Sequence, residues 1–260
     1  MNSLQEFLEI YTANPCRTLP NAFWKTAGSW SETELRISRD PAGVVTSLVL
    51  KKDQRLMAFW CADSGKHPLS QEKIEHTPFA LVHADGLPIF SGRKFAHRRA
   101  YFRLINQGHS EKALCPPGFT FQVVNPKEDI DAIADFICDC YTEIKVSSQI
   151  VRTWTGHFVY DPELWVWVVH QASGVKVGLG IAERDPRVPE ASLEWVQVHP
   201  AYRGKGLGKA LVNELSQRAL EEVAFLTVSG EVESESQPEQ LYRSCGFTGD
   251  DVWWLLYDEI

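Results

Sequence analysis

Residues 194–209, EWVQVHPAYRGKGLGK, decide how the rest of this chain is read. From Leu193 to Val198 β-branched, aromatic and polar residues alternate. This is the pattern of a half-buried strand with Leu193, Trp195 and Gln197 on one face and Glu194, Val196 and Val198 on the other. Pro200 stops the strand because it has no N–H to give to a ladder. Gly204, Gly206 and Gly208 then form a turn without Cβ atoms, and Leu207, Leu211, Leu215 and Ala219 recur every four residues as the apolar stripe of a helix. A strand, a glycine turn and a helix leave the first N–H groups of the helix pointing into the turn, where the helix dipole also favours negative charge. The natural guest of that turn is a phosphate or pyrophosphate.

Glycine spacing narrows the choice of ligand. A nucleotide loop of the G-x-x-x-x-G-K-[ST] kind needs four residues between its glycines; here three separate Gly204 from Gly208-Lys209, and Ala210 stands where a hydroxyl would hold magnesium. A dinucleotide fingerprint fits poorly as well, because the run is G-x-G-x-G and not G-x-G-x-x-G. A loop that only joins a strand to a helix would need neither three spaced glycines nor an arginine. What remains is Arg-x-x-Gly-x-Gly from Arg203 to Gly208, preceded by a strand and Pro-Ala-Tyr. It closely resembles the acyl-CoA-binding motif of the GNAT superfamily of N-acetyltransferases.

At 260 residues the chain exceeds one typical domain of roughly 100 to 150 residues, so two lobes or one enlarged domain are expected. With 44% apolar and 23% charged residues the composition is that of a globular protein, and no run approaches the roughly 18 to 20 apolar residues of a membrane span. The start, MNSLQEFLEIYTANPCR, lacks the basic and apolar blocks of a secretion signal, so the expected location is cytoplasmic. Six cysteines then read as free thiols, and neither the Cys138/Cys140 spacing nor the scattered histidines suit a zinc site; no metal is expected. Residues 1–117 carry 15 Lys/Arg against 11 Asp/Glu, whereas residues 118–260 carry 11 against 23. So acidic a half must focus positive potential at Arg203, Lys205 and Lys209 to hold a polyanion; its remaining surface suits a cation and argues against nucleic acid.

Cys115-Pro116-Pro117-Gly118 reads as the domain boundary, giving an N-terminal α+β lobe over 1–117 and a second domain over 118–260. The first part has a short helix near Leu4–Tyr11 and strand patterns at Glu34–Ser38, Val44–Lys51, Arg55–Cys61 and Phe79–His83. Trp24, Trp30, Phe59 and Trp60 are buried-type residues that a disordered tail would not carry. The basic run Arg93, Lys94, His97, Arg98, Arg99 and Arg103 reads as entering a helix from about Phe95 to Asn106. After the boundary come a strand at Phe119–Val124 and helices at about Glu128–Tyr141 and Ser148–His157. Strands follow at Leu164–His170 and Val175–Glu183, then the central strand and helix, and finally Phe225–Gly230, a short helix Pro238–Cys245 and Val252–Tyr257.

That order is also the element order of the GNAT fold, so the resemblance implies an α/β fold with a central mixed, mostly antiparallel sheet flanked by helices over residues 118–260. A second landmark, Leu241-Tyr242-Arg243-Ser244-Cys245-Gly246-Phe247, is similar to the family's LY-x-x-x-GF helix and turn. Upstream the chain departs from the pattern: Glu235 and Pro238 stand where the family commonly has Asn and Ala. The resemblance implies acetyl-CoA as acyl donor, with pyrophosphate at Arg203, Gly204, Lys205, Gly206, Leu207, Gly208 and Lys209. The pantetheine arm would insert beside Val196, Gln197 and Val198 in a cleft where the central strand parts from Phe225–Gly230, pairing with backbone as an added strand.

Glu194 lies nine residues before Arg203, where many family members carry an acid, and could take a proton from an amine acceptor. Tyr242 would protonate the departing thiolate. Each has an ordinary alternative, a strand carboxylate and a core aromatic, and Cys245 reads as a packed thiol. The implied activity is N-acyl transfer to an amine of a small molecule or protein. A non-catalytic acyl-CoA-binding regulatory module and an O-acyltransferase on the same fold stay open, as does a homodimer.

Overall fold

The structure is a computed structural model that describes residues 3–27, 32–63, 65–70, 74–108, 112–140, 144–234 and 236–258; Trp30, Tyr141 and Glu235 lie outside these. In chain order the elements begin with helices α1 (Ser3–Ala13), α2 (Pro15–Thr18) and α3 (Phe23–Ala27). Strands β1 (Thr33–Arg39), β2 (Val45–Lys52), β3 (Arg55–Cys61), β4 (Phe79–His83), β5 (His97–Asn106) and β6 (Phe119–Val123) follow. Next come α4 (Ile130–Cys140), α5 (Ser148–Thr155), β7 (Trp165–His170), β8 (Lys176–Asp185) and β9 (Glu190–Val198). The last elements are α6 (Leu207–Leu220), β10 (Phe225–Glu231), α7 (Pro238–Arg243) and β11 (Thr248–Tyr257). Mixed α/β architecture with helices flanking a mixed sheet is thus as expected.

Two units divide the chain. One takes Met1–Leu104, Ser229–Glu239 and Gly249–Ile260; the other takes Ile105–Val228 and Gln240–Thr248. The proline-glycine stretch at 115–118 falls inside the second unit, and two C-terminal pieces return to the first.

Within the first unit the strand order is β1-β2-β3-β4-β11-β5. Strands β1 to β3 form an antiparallel meander, β4 runs parallel to β3, and β11 pairs antiparallel with β4. Residues 97–106, expected as helix, are strand β5. The reason lies in the period: Phe102 and Leu104, two apart, are both buried, and a helix would set them on different sides. Of the basic run, Lys94, His97, Arg98 and Arg99 are exposed, but its two ends are engaged in the fold. Arg103 is 1% exposed and donates to Tyr11 Oη at 2.9 Å, Arg98 stacks over Trp254, and Arg93 pairs with Asp258.

The second unit carries the central stretch. Its order is β10-β9-β8-β7-β6, antiparallel from β6 to β9 and parallel between β9 and β10. Helix α4 buries Ile130, Ile133, Ala134, Phe136 and Ile137 against Trp165, Trp167, Leu179 and Ile181 of β7 and β8. Helix α6 covers the opposite face of the sheet: a Cβ on Gly180 would lie 2.7 Å from Leu215 Cδ1 and 2.9 Å from Leu211 Cγ, so the helix rests on bare backbone. Asp129 anchors the turn before α4. It pairs with Lys176 and accepts from Asn125 N at 2.9 Å and Trp167 Nε1 at 3.1 Å. Burial alone would raise its pKa, but the Lys176 ammonium and these two N–H donors outweigh that and hold the carboxyl below its usual range.

Two outcomes follow for stability. Gly180→Val should overpack the α6 interface and cost about 1–3 kcal/mol in denaturant unfolding. Asp129→Asn should destabilise the fold at neutral pH. Because the folded-state pKa of Asp129 is depressed, its contribution is present above the unfolded value of about 4 and lost as pH falls through the folded one; the two unfolding curves should therefore converge in acid.

Candidate active site

The parallel ladder between β9 and β10 is short. Glu190, Ala191, Ser192 and Leu193 pair with Phe225, Leu226, Thr227 and Val228, and no further pair with β10 is registered among the described residues. On its other edge β9 stays paired with β8 as far as Val198, which faces Gly178. From Val196 to Val198 the strand is in register with β8 alone among the described residues.

Glu194 sits at an irregularity. Trp195 faces Ile181 and Leu193 faces Ala182, neighbours on β8, so Glu194 is an extra residue on β9, a β-bulge. A bulge inverts the alternation, and this corrects the faces expected from the sequence. Directly opposed residues share a face. Leu193, opposite Ala182, therefore lies with Val196 and Val198, opposite Gly180 and Gly178, on the α6 side. Trp195 and Gln197, opposite Ile181 and Leu179, lie on the α4 side. Ser192, opposite Glu183, belongs there too, and its hydroxyl donates to Glu194 Oε1 at 2.7 Å. Glu194 is thus held beside Ser192 and not with Val196 and Val198.

Beyond β9, His199 Nδ1 accepts from Ala201 N at 3.3 Å and caps a 3-10 turn, Pro200–Tyr202. Tyr202 is braced edge-on by Phe119 (centroids 6.2 Å) and carries Lys205 over its ring at 5.8 Å. Arg203 Nε donates to Val198 O at 3.2 Å, returning the loop to the strand. The Arg203 charge also reaches Cys140 at the end of α4, where it opposes a burial that pushes the thiol up to about 11.

Gly204 and Gly206 have φ of +76° and +78°, left-handed values that favour glycine, and a Cβ on either would meet nothing within 4 Å. Gly206 is the N-cap of α6, whose first turn has neither a side-chain cap nor an acidic residue. Its N-terminus thus presents positive partial charge toward an open loop bearing Arg203 and Lys205.

Gly208 approaches both Val198 and Leu241, whose nearest atom would lie 3.4 Å from its Cβ. The site thereby acquires α7. Tyr242, next to Leu241, is 8% exposed and packs edge-on against Phe247 at 5.8 Å. Cys245, 2% exposed, points its thiol to Lys209 O at 3.9 Å and is a packed thiol. Sequence reasoning missed an aromatic group on the α4 side of β9: Trp154 of α5 stacks on Trp195 (5.6 Å, 26°), and Trp165 and Tyr160 stand behind (5.1 Å). A second tryptophan near Trp195 in space has no signal in local spacing. Among the described residues no group of three or more His, Cys, Asp or Glu could hold a metal ion, and no helix is long and apolar enough to cross a membrane.

Residues 162–249 match the family model for the acetyltransferase (GNAT) domain. No curated protein matches the chain. Among solved structures, a GCN5-related N-acetyltransferase from Sphaerobacter thermophilus superposes with TM-score 0.66 at 17% identity, over 90% of this chain and 84% of that one. A GNAT-family acetyltransferase from Colwellia psychrerythraea gives 0.63 at 14% identity over 100% and 98%. A tandem GNAT protein from the clavulanic acid biosynthesis pathway gives 0.57 at 15% over 98% and 95%. Such identities carry the fold and not the substrate. Residues 162–249 are thus similar to a GNAT acetyltransferase domain, and the chain has the mixed α/β fold of the GNAT structures.

Proposed function

We propose that this chain is an N-acyltransferase that moves the acetyl group of acetyl-CoA onto a primary amine of a small molecule or protein, by direct attack in a ternary complex. The observation that carries this reading is the conjunction of an uncapped α6 N-terminus behind two left-handed glycines with a β9 segment paired on one side only. Arg203, Lys205, Lys209 and the amides from Gly204 to Lys209 hold the pyrophosphate. Backbone groups of Val196 and Val198 receive the pantetheine arm as an added strand. Glu194, oriented by Ser192, takes the proton that the ammonium must lose before its nitrogen can attack. As the new C–N bond forms and the C–S bond breaks, Tyr242 supplies the proton that the leaving sulfur takes up.

Thiol release from acetyl-CoA across a panel of amines and alcohols tests the reaction. Release with amines is expected; release with alcohols alone would make the chain an O-acyltransferase, and binding without turnover a regulatory module. Gly206→Asp tests the cradle. Asp tolerates the left-handed backbone better than most residues, so the variant should stay folded, while its carboxylate meets the pyrophosphate. CoA affinity measured by calorimetry should fall by more than about tenfold, since like-charge contact costs at least the ~1.4 kcal/mol of one decade.

Roles of Glu194 and Tyr242 separate by pH. Glu194→Gln should lower turnover most where the amine is protonated, and the loss should shrink as pH approaches an alkylamine pKa of about 10. Tyr242→Phe should keep its defect there, because thiolate protonation does not depend on free amine. Losses of about 10² to 10⁴-fold are expected of such roles; equal, pH-independent losses under about threefold would remove both residues from the chemistry.

A further inference from the structure

Gln197 is 5% exposed, and both its Oε1 and Nε2 are buried with no hydrogen-bond partner. Leaving a buried amide unmatched at both ends is costly, and native proteins rarely tolerate it without a use. Its place is informative. It lies on the α4 side of β9 with Trp195, three residues beyond Glu194, on the face opposite Val196 and Val198. In the same cluster the Trp165 Nε1 and Tyr160 Oη atoms are also buried without hydrogen-bond partners. On that face Trp195 is half-buried, as is Glu194 at the bulge.

We infer that Gln197 reads the acceptor: its carboxamide pairs with an amide group carried by the amine, so that the preferred acceptors are amide-bearing amines. The inference rests on the amine-acylation reading and adds the chemistry by which that site selects. A carboxamide offers one donor and one acceptor on adjacent atoms, and the complement that satisfies both at once is another amide. A plain alkylamine would leave both ends unmatched. Trp195 and Trp154 supply the apolar wall along which the carbon chain between amine and amide lies. Strand rise sets Gln197 roughly 10 Å or less from Glu194 along the backbone, a span that an acceptor carrying its amide a few bonds from its nitrogen would bridge. The amide source is either a small carboxamide or a peptide, and the acceptor series separates them.

The test uses the full chain and Gln197→Met, which keeps the unbranched shape and removes the amide. Without ligand, the melting temperature of the variant should be unchanged or raised by about 2 °C, since a buried unmatched group is lost. A fall would mean that the amide is already held inside the protein, and would overturn the inference. Acetyl transfer is then compared for butylamine, 4-aminobutanamide and a short peptide with a free N-terminus, each at a pH giving the same neutral fraction. The wild-type protein should favour one or both amide-bearing acceptors, and Gln197→Met should erase that preference by roughly tenfold or more, through KM. Acetyl-CoA affinity is measured alongside: the acceptor reading predicts a change confined to the acceptor KM, and a cofactor role of the Gln197 side chain predicts a change in acetyl-CoA affinity. Equal use of all acceptors by the wild type, a loss shared equally by butylamine, or a fall in acetyl-CoA affinity would each overturn the assignment. Turnover without preference defeats this inference alone; no turnover with any amine defeats the functional reading as well.

Discussion

The candidate site depends on one strand changing partners. Among the described residues β9 is in register with β10 as far as Leu193 and with β8 as far as Val198, so Val196 to Val198 are paired with β8 alone. A strand edge with free backbone groups is ordinarily a liability, open to any extended segment. Here the exposed length leads directly into the turn where α6 presents its uncapped N-terminus. The turn is tied to the strand by the Arg203–Val198 hydrogen bond and to α7 through Gly208 and Leu241. Position of the loop, of the helix dipole and of Tyr242 all follow from where β9 ends.

The bulge at Glu194 gives this strand a second property. Without it, Glu194 would share a face with Val196 and Val198 beneath α6. With it, the carboxylate lies beside Ser192, on the side where Trp195, Trp154 and Gln197 gather. One extra residue therefore divides the strand between two tasks, one face packing against α6 and the other turned to the aromatic cluster under α4 and α5. A bulge is a local increase in twist and a re-aiming of side chains, and its cost is a disrupted ladder pair.

Electrostatics suits this division. Residues 118–260 hold 23 acidic residues against 11 basic, yet the loop from Arg203 to Lys209 contains three of those basic groups. A polyanion is favoured at the loop and a cation elsewhere on the acidic surface.

Much of this was determined by the sequence itself. Three glycines, a helix stripe of Leu207, Leu211 and Leu215, and Pro200 fix the strand-turn-helix unit, because left-handed backbone, helical period and a missing N–H are local properties of residues. The order of elements after residue 118 was legible for the same reason. Tertiary structure alone decided the rest. Residues 97–106 became strand although their charges suggested a helix face, since Arg103 could be buried against Tyr11 from far away in the chain. The bulge at Glu194 has no glycine or proline to announce it; it exists because Ile181 and Ala182 on β8 take Trp195 and Leu193 as their partners. For that reason the side on which Glu194, Trp195 and Gln197 stand, and hence which of them could meet an acceptor, is a property of the paired sheet and not of the strand read alone.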